Sequence, residues 1–156
     1  MNSLDLTRYI EQNEIDAEIL HLQSETPTVA AAAEVLGVLP EQIIKSVLFL
    51  ADGQPVLVIV NGLARINRKP LADVLAMSRK RVKMADGQQV VTITGYPIGA
   101  VPPYGHPQQL DTLLDQGILQ QDVVFGGGGE INALMRVTVP ELQRATGGRL
   151  VDIADR

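Results

Sequence analysis

The chain has no cysteine, no tryptophan and only two histidines, His21 and His106. Without cysteine there is no disulfide, no thiolate metal site and no cysteine nucleophile. A zinc site would have to lean on carboxylates, and none clusters with metal-ligand spacing. No metal and no cofactor is therefore expected. Three Tyr and two Phe are too few for an extended base-stacking surface. Four serines and two histidines leave little from which to build a serine triad. No GxSxG elbow, HExxH helix or P-loop occurs, and no GxGxxG follows a strand and opens a helix. No run of about 18 apolar residues is present, so no membrane span is expected. The N-terminal MNSLDLTRYIEQNE lacks the apolar stretch of a signal peptide, and a cytoplasmic protein is the expectation.

What is present is ordinary globular material: 156 residues, 46% apolar and 20% charged. That length fits a single domain, residues 1–156, with one sizeable core. The net charge of −5 argues against a broad nucleic-acid clamp, but the charge is uneven. Residues 1–41 hold eight acids and one base, Arg8. Residues 65–83 hold seven bases (Arg65, Arg68, Lys69, Arg79, Lys80, Arg81 and Lys83) against one acid, Asp73. Such a patch is either a solvated face or a grip for a few phosphates.

The order of elements mixes helices and strands without a βαβ repeat, which points to an α+β fold around a mixed or barrel-like sheet. Residues 4–12 read as a helix capped by Ser3, and 17–22 as a short strand. ETPTVAAAAEVLG reads as a helix with Thr28 as cap and Gly37 as stop. IIKSVLFLADGQPVLVIVNG reads as a hairpin turning at Asp52-Gly53. RKPLADVLAM is a short helix and RVKM a strand. In residues 86–94, VVTIT favours strand on propensity, whereas Asp86 as cap and Gly95 as stop favour the helix adopted here. LDTLLDQG reads as helix, DVVFGG and ALMRVTV as strands, PELQRATGG as helix, and VDIA as a sheet edge.

Three features could carry chemistry. Lys45 interrupts an apolar strand and shares a face with Ile43, Val47 and Phe49. It must either reach water at the sheet edge or point into a polar cavity, where it would hold a phosphate or a developing oxyanion. The loop TGYPIGAVPPYGHP, residues 94–107, packs three glycines and four prolines into fourteen positions. It is either a structural turn or a stiff main-chain wall for a small ligand. The run FGGGGEIN is either a flexible hairpin tip or a second point of close backbone approach.

Taken in this order and spacing, the segments from TPTVAAAAEVLGVLPEQIIKSVLFL through LARINRKPLADVL, TGYPIGAVPPYGH, Asp111, the glycine turn and VTVPEL resemble the YbaK/ProX family of aminoacyl-tRNA deacylases, the prolyl-tRNA synthetase-associated editing domains. The resemblance spans residues 15–153. It implies a barrel-like mixed sheet with helices around it, and hydrolysis of the ester between a wrong amino acid and its tRNA. A chain this short resembles the free-standing kind. Lys45 falls on the family's essential lysine, Gly99 and Pro103 on its GxxxP pocket loop, and Gly127 and Gly128 near its second glycine-rich segment. Gly95 and Pro102 complete the expected pocket.

The expected substrate is a small amino acid, alanine first and cysteine or serine next, on proline tRNA. Arg65, Arg68, Lys69, Arg79, Lys80 and Arg81 are the expected contacts to the tRNA acceptor end, with a synthetase as a further partner. Several members carry a histidine after the second glycine turn, where this chain has Glu130, Ile131 and Asn132. The alternative is a catalytically silent module that binds charged tRNA ends or a small ligand. A serine hydrolase of small esters, a third class, would be inactivated by a serine-directed reagent.

Overall fold

The central hairpin forms where two β-branched runs flank a turn. β2 (Ile44–Ala51) and β3 (Gln54–Asn61) pair antiparallel, with Lys45 opposite Val60 and Ala51 opposite Gln54. Asp52 and Gly53 both take positive φ, 51° and 84°, the conformation that a two-residue hairpin of right-handed twist demands. The computed structural model containing this hairpin describes residues 1–23 and 28–155. The start of the ETPTVAAAAEVLG segment, residues 25–27, lies outside the described residues, as do residues 24 and 156.

The hairpin is the middle of a five-stranded mixed sheet of order β5-β2-β3-β6-β9. β5 (Val82–Met84) joins β2 antiparallel, while β6 (Asp111–Asp115) and β9 (Arg149–Val151) continue the sheet in parallel from β3. A second sheet is antiparallel, of order β1-β8-β7, built from β1 (Ala17–His21), β7 (Val123–Gly127) and β8 (Ala133–Thr138). A bridge between Ile43 and Phe125 ties the two sheets at the start of β2. A two-stranded ribbon pairs β4 (Arg65–Ile66) with β10 (Ala154–Asp155). The fold is α+β, and the described strands form these open sheets rather than a closed barrel.

β3 is covered on both faces: Leu57, Val58, Ile59 and Val60 have no exposed surface. Burying each such side chain contributes roughly 1.5–3 kcal/mol before entropy is counted. Leu57 and Ile59 join Ile44, Leu48, Leu114, Met135 and Val137 in the core between the sheets. Val58 and Val60 join Phe49, Leu113, Leu71 and Ile153 on the other face. A smaller cluster of Ala32, Ala33, Ile43 and Phe125 seats helix α2 beside the start of β2.

The helices are α1 (Ser3–Gln12), α2 (Val29–Leu36), α3 (Arg68–Val74), α4 (Gly87–Thr94) and α5 (Val139–Thr146). α2 starts where the Thr28 side chain accepts from the Ala31 N–H and stops at Gly37. In α4, Asp86 and Gln89 form a reciprocal capping box. Those bonds satisfy end groups that a strand would not present, and they override the β propensity of VVTIT.

Two expectations are corrected. The cap of α1 is Asn2, whose side chain accepts from the Leu4 and Asp5 N–H groups. Ser3 is the first helical residue, and its hydroxyl donates to Glu130. LDTLLDQG is not helical at its centre: residues 111–115 form β6, followed by a 3-10 turn over Gln116–Gln120. With strands on both sides, Leu113 and Leu114 bury on opposite faces, which only an extended segment allows. Asp115 at its end is fully buried and accepts the N–H groups of Gly117, Ile153 and Ala154.

Candidate functional site

Lys45 is the second residue of β2, on the strand face that it shares with Val47 and Phe49. Here β2 leaves the main core, and Gly62 at the end of β3 donates to the Ile43 carbonyl at 2.7 Å. The lysine is half-buried and lines a cavity of about 290 Å³. Thr28, Val29 and Ala32 of the α2 end, Ile98, Gly99 and Val101 of the Gly/Pro loop, and Gly127 of β7 complete much of its wall. Among the described residues Lys45 has no ion-pair or hydrogen-bond partner. The adjacent Ser46 lines the same cavity, and its hydroxyl is buried without a hydrogen-bond partner among the described residues. A buried, unsatisfied hydroxyl costs about 1–3 kcal/mol, a cost that a polar ligand would relieve.

The Gly/Pro loop is held from within. Tyr96 is wholly buried, and its hydroxyl donates to the Gly105 carbonyl at 3.3 Å. The Thr94 hydroxyl donates to the Val90 carbonyl at 2.7 Å and accepts from the Tyr96 N–H at 3.1 Å. His106 Nε2 lies 2.8 Å from the Pro102 carbonyl, so it is the protonated nitrogen and donates there. Burial lowers the His106 pKa below its ordinary 6.5 and outweighs the opposing pull of that carbonyl. Burial likewise pushes the Tyr96 phenol up to about 12. The ring of Tyr104 stacks on Tyr9 with centroids 5.9 Å apart. The raised Tyr96 phenol and the lowered His106 imidazole stay neutral at physiological pH and act as internal struts of the loop.

Gly99 has φ +89°, and nothing lies within 4 Å of where its Cβ would be. Its glycine serves the backbone turn rather than close contact. Gly127 is the reverse case: a Cβ there would sit 2.2 Å from the Val101 carbonyl oxygen. The second glycine run thus lets β7 press its backbone against the first loop. The Gly129 N–H donates to the Ala100 carbonyl at 3.0 Å, and a Cβ at Gly128 would collide with the Ala133 backbone at 2.6 Å. Three expected residues, Lys45, Gly99 and Gly127, therefore share one cavity. Gly95, Pro102, Pro103 and Gly128 lie outside its lining. Gly95 ends α4 against Met1, and Pro102 anchors His106. Pro103 faces Gly126 on one side and a neighbouring cleft on the other.

The basic residues sit elsewhere. β5 pairs with Phe49–Ala51, the far end of β2, six residues and about 20 Å along the strand from Lys45. Arg68, Arg79, Lys80 and Lys83 surround one shallow depression there. Arg68 also donates to the Val82 carbonyl. Arg81 stands 3.9 Å from Asp52 in an exposed ion pair. Lys69 and Arg65 are exposed on α3 and β4.

Sequence reasoning missed Ser46, Ile98 and the contribution of α2. The signal for Ser46 was visible: Lys-Ser together interrupts an apolar run that would otherwise be buried. Glu130 and Asn132, at the expected histidine position, are tied to other partners. Glu130 accepts from Ser3, and Asn132 exchanges bonds with Leu22.

Residues 23–145 match the sequence model of the aminoacyl-tRNA editing domain. The chain is 29% identical over 126 residues to the uncharacterized protein YwhH of Bacillus subtilis, covering 80% of this chain and 78% of that one. It is 30% identical over 125 residues to a proline–tRNA ligase of Desulfotalea psychrophila, covering 78% of this chain but only 21% of that enzyme. Among solved structures, a proposed trans-editing enzyme for prolyl tRNA synthetase superposes with a TM-score of 0.92 at 28% identity, over 99% of this chain and 97% of that one. The hypothetical protein APE2540 superposes with a TM-score of 0.89 at 32% identity, over 97% and 99%.

Proposed function

The chain belongs to the aminoacyl-tRNA editing domain family, and from that membership we propose that it is a trans-acting deacylase. It would hydrolyse the ester joining a small amino acid to the 3′ end of a tRNA. The observation that carries this reading is a half-buried lysine, unpaired among the described residues, that lines a cavity with Gly99 and Gly127. In that setting Lys45 serves as a point charge for the terminal phosphate or for the carbonyl oxygen as it becomes an oxyanion.

Water adds to the aminoacyl carbonyl carbon, assisted by the neighbouring ribose hydroxyl as the family resemblance implies. The tetrahedral intermediate collapses with cleavage of the acyl C–O bond. The proton of the attacking water passes to the departing ribose oxygen. The protein's part is positioning and charge stabilisation, with no covalent enzyme intermediate.

Main-chain walls suit a size filter because their position does not depend on rotamers. A synthetase pocket separates amino acids differing by one methylene by only about 1–3 kcal/mol. A cramped second site that excludes the larger, correct amino acid compensates. Alanine on proline tRNA is the leading substrate, with cysteine and serine next. The depression around Arg68, Arg79, Lys80 and Lys83, about 20 Å away along β2, would hold acceptor-stem phosphates.

The test is a deacylation panel of mischarged tRNAs with wild-type protein and Lys45→Ala. The expected result is turnover of a small amino acid by the wild type and a loss of about 10²–10³-fold in kcat/KM in the variant. Turnover that survives the substitution would remove Lys45 from the mechanism. Absence of turnover on every substrate would leave a module that only binds charged tRNA ends.

A further inference from the structure

Ile98 differs in its exposure from the other apolar residues around the cavity. It is apolar and 61% exposed, yet it belongs to the cavity lining. Its Cδ1 lies 3.6 Å from where a Cβ on Gly87 would be, so it leans over the first residue of α4. The backbone turns at Gly99 immediately after it, with φ +89°, and that turn fixes the direction in which Ile98 projects. A single exposed isoleucine elsewhere would need no comment. This one stands at the mouth of a cavity whose other aliphatic residues, Val29, Ile44, Val47 and Val101 among them, are buried or half-buried beside the Lys45 ammonium and the Ser46 hydroxyl.

The cavity volume decides what could meet it. At about 30 Å³ for each water-sized group, 290 Å³ holds on the order of ten heavy atoms. A small aminoacyl ester with the adjoining ribose atoms fills that space. The terminal adenine, of similar size again, would then extend to the open rim. The rim is the place where an exposed aliphatic side chain would gain by being covered.

We propose that Ile98 is a shelf for the 3′-terminal nucleobase, a binding residue that makes the site prefer a nucleotide end over a bare aminoacyl ribose. The inference rests on the deacylase reading. Lys45 takes the charge, the loop backbone takes the aminoacyl group, and Ile98 takes the face of the base.

The experiment compares two non-hydrolysable RNA hairpins, each with alanine amide-linked to a 3′-amino ribose. One carries the terminal adenine and the other an abasic ribose. Dissociation constants are measured by fluorescence anisotropy for wild type, Ile98→Ala and Ile98→Leu. Melting curves check that each variant is folded, as the exposure of residue 98 leads us to expect. Wild type should prefer the adenine hairpin by about 4- to 15-fold, the equivalent of one to two buried methylenes. Ile98→Ala should lose that preference and Ile98→Leu should keep it.

Equal binding of both hairpins by wild type overturns the proposal. So does an undiminished preference in Ile98→Ala, or an equal weakening of both hairpins by that substitution. The deacylation panel separates the two levels. If wild type turns over mischarged tRNA but the preference is independent of Ile98, only the shelf falls. If wild type neither turns over any substrate nor binds either hairpin, the deacylase reading falls and takes the shelf with it.

Discussion

Gly127→Ala is the most direct probe of how the two glycine-rich segments build the cavity. The new Cβ would lie 2.2 Å from the Val101 carbonyl oxygen, 2.6 Å from the Val101 carbonyl carbon and 3.0 Å from the Ala100 carbonyl carbon. Ordinary contact begins at 3.4 Å, so the loop and β7 must separate by about 1.2 Å. All three neighbours are backbone atoms, and no side-chain rotation can relieve the clash. The loop is itself held by Tyr96, Thr94 and His106, which resists the shift. Overpacking of this kind costs roughly 1–3 kcal/mol, which lowers Tm by about 2–4 °C for each kcal/mol in a chain of this size.

The larger effect falls on activity, because a displacement near 1 Å in a positioning element costs about 10²-fold in rate. Gly99→Ala is the contrasting variant. It meets no atom within 4 Å and is strained only by its positive φ, at about 1–2 kcal/mol. Thermal melts and deacylation kinetics on the same mischarged tRNA report both effects. A Gly127→Ala protein with wild-type Tm and wild-type kcat/KM would show that the two segments do not press together as described.

Replacing Arg79, Lys80 and Arg81 together with alanine should leave Tm nearly unchanged, since all three are exposed. It should flatten the salt dependence of tRNA binding by a log–log slope of about 2–3, and an unchanged slope at low salt would count against the patch. His106 makes the loop sensitive to acid. Burial lowers its folded pKa below 6.5, so the unfolded chain takes up the proton first. Its contribution to stability is complete above pH 6.5 and declines as pH falls below that value. Urea unfolding should therefore show stability falling between neutral and mildly acidic pH, with a smaller fall in His106→Gln. Leu71→Ala, at a fully buried site between α3 and the sheet, should cost about 2–5 kcal/mol without touching the cavity.

Several elements were legible because local chemistry specifies them. Asp52-Gly53 names its own turn, Thr28 and Gly37 bracket α2, and Asp86 with Gly95 recovers α4 against the β propensity of VVTIT. β6 was not legible. Leu110, Leu113 and Leu114 recur at helical spacing, and only the parallel strands on both sides turn that spacing into an extended segment with two buried faces. Likewise Gly95 and Gly128 carried the right composition for a pocket. Their actual neighbours, Met1 and the Ala133 backbone, could not be known from composition.

By itself the sequence determined the α+β class, the hairpin, most helix ends, and the presence of a lysine in a strand that should be apolar. The tertiary structure alone decided that Lys45, Gly99 and Gly127 border one cavity, that Arg68, Arg79, Lys80 and Lys83 gather near the opposite end of β2, and that Ile98 stands at the mouth. The division has a physical cause. Caps and turns act over a few residues of one backbone. A cavity is instead the space left when segments distant in the chain pack against each other, so its walls are set by the whole fold.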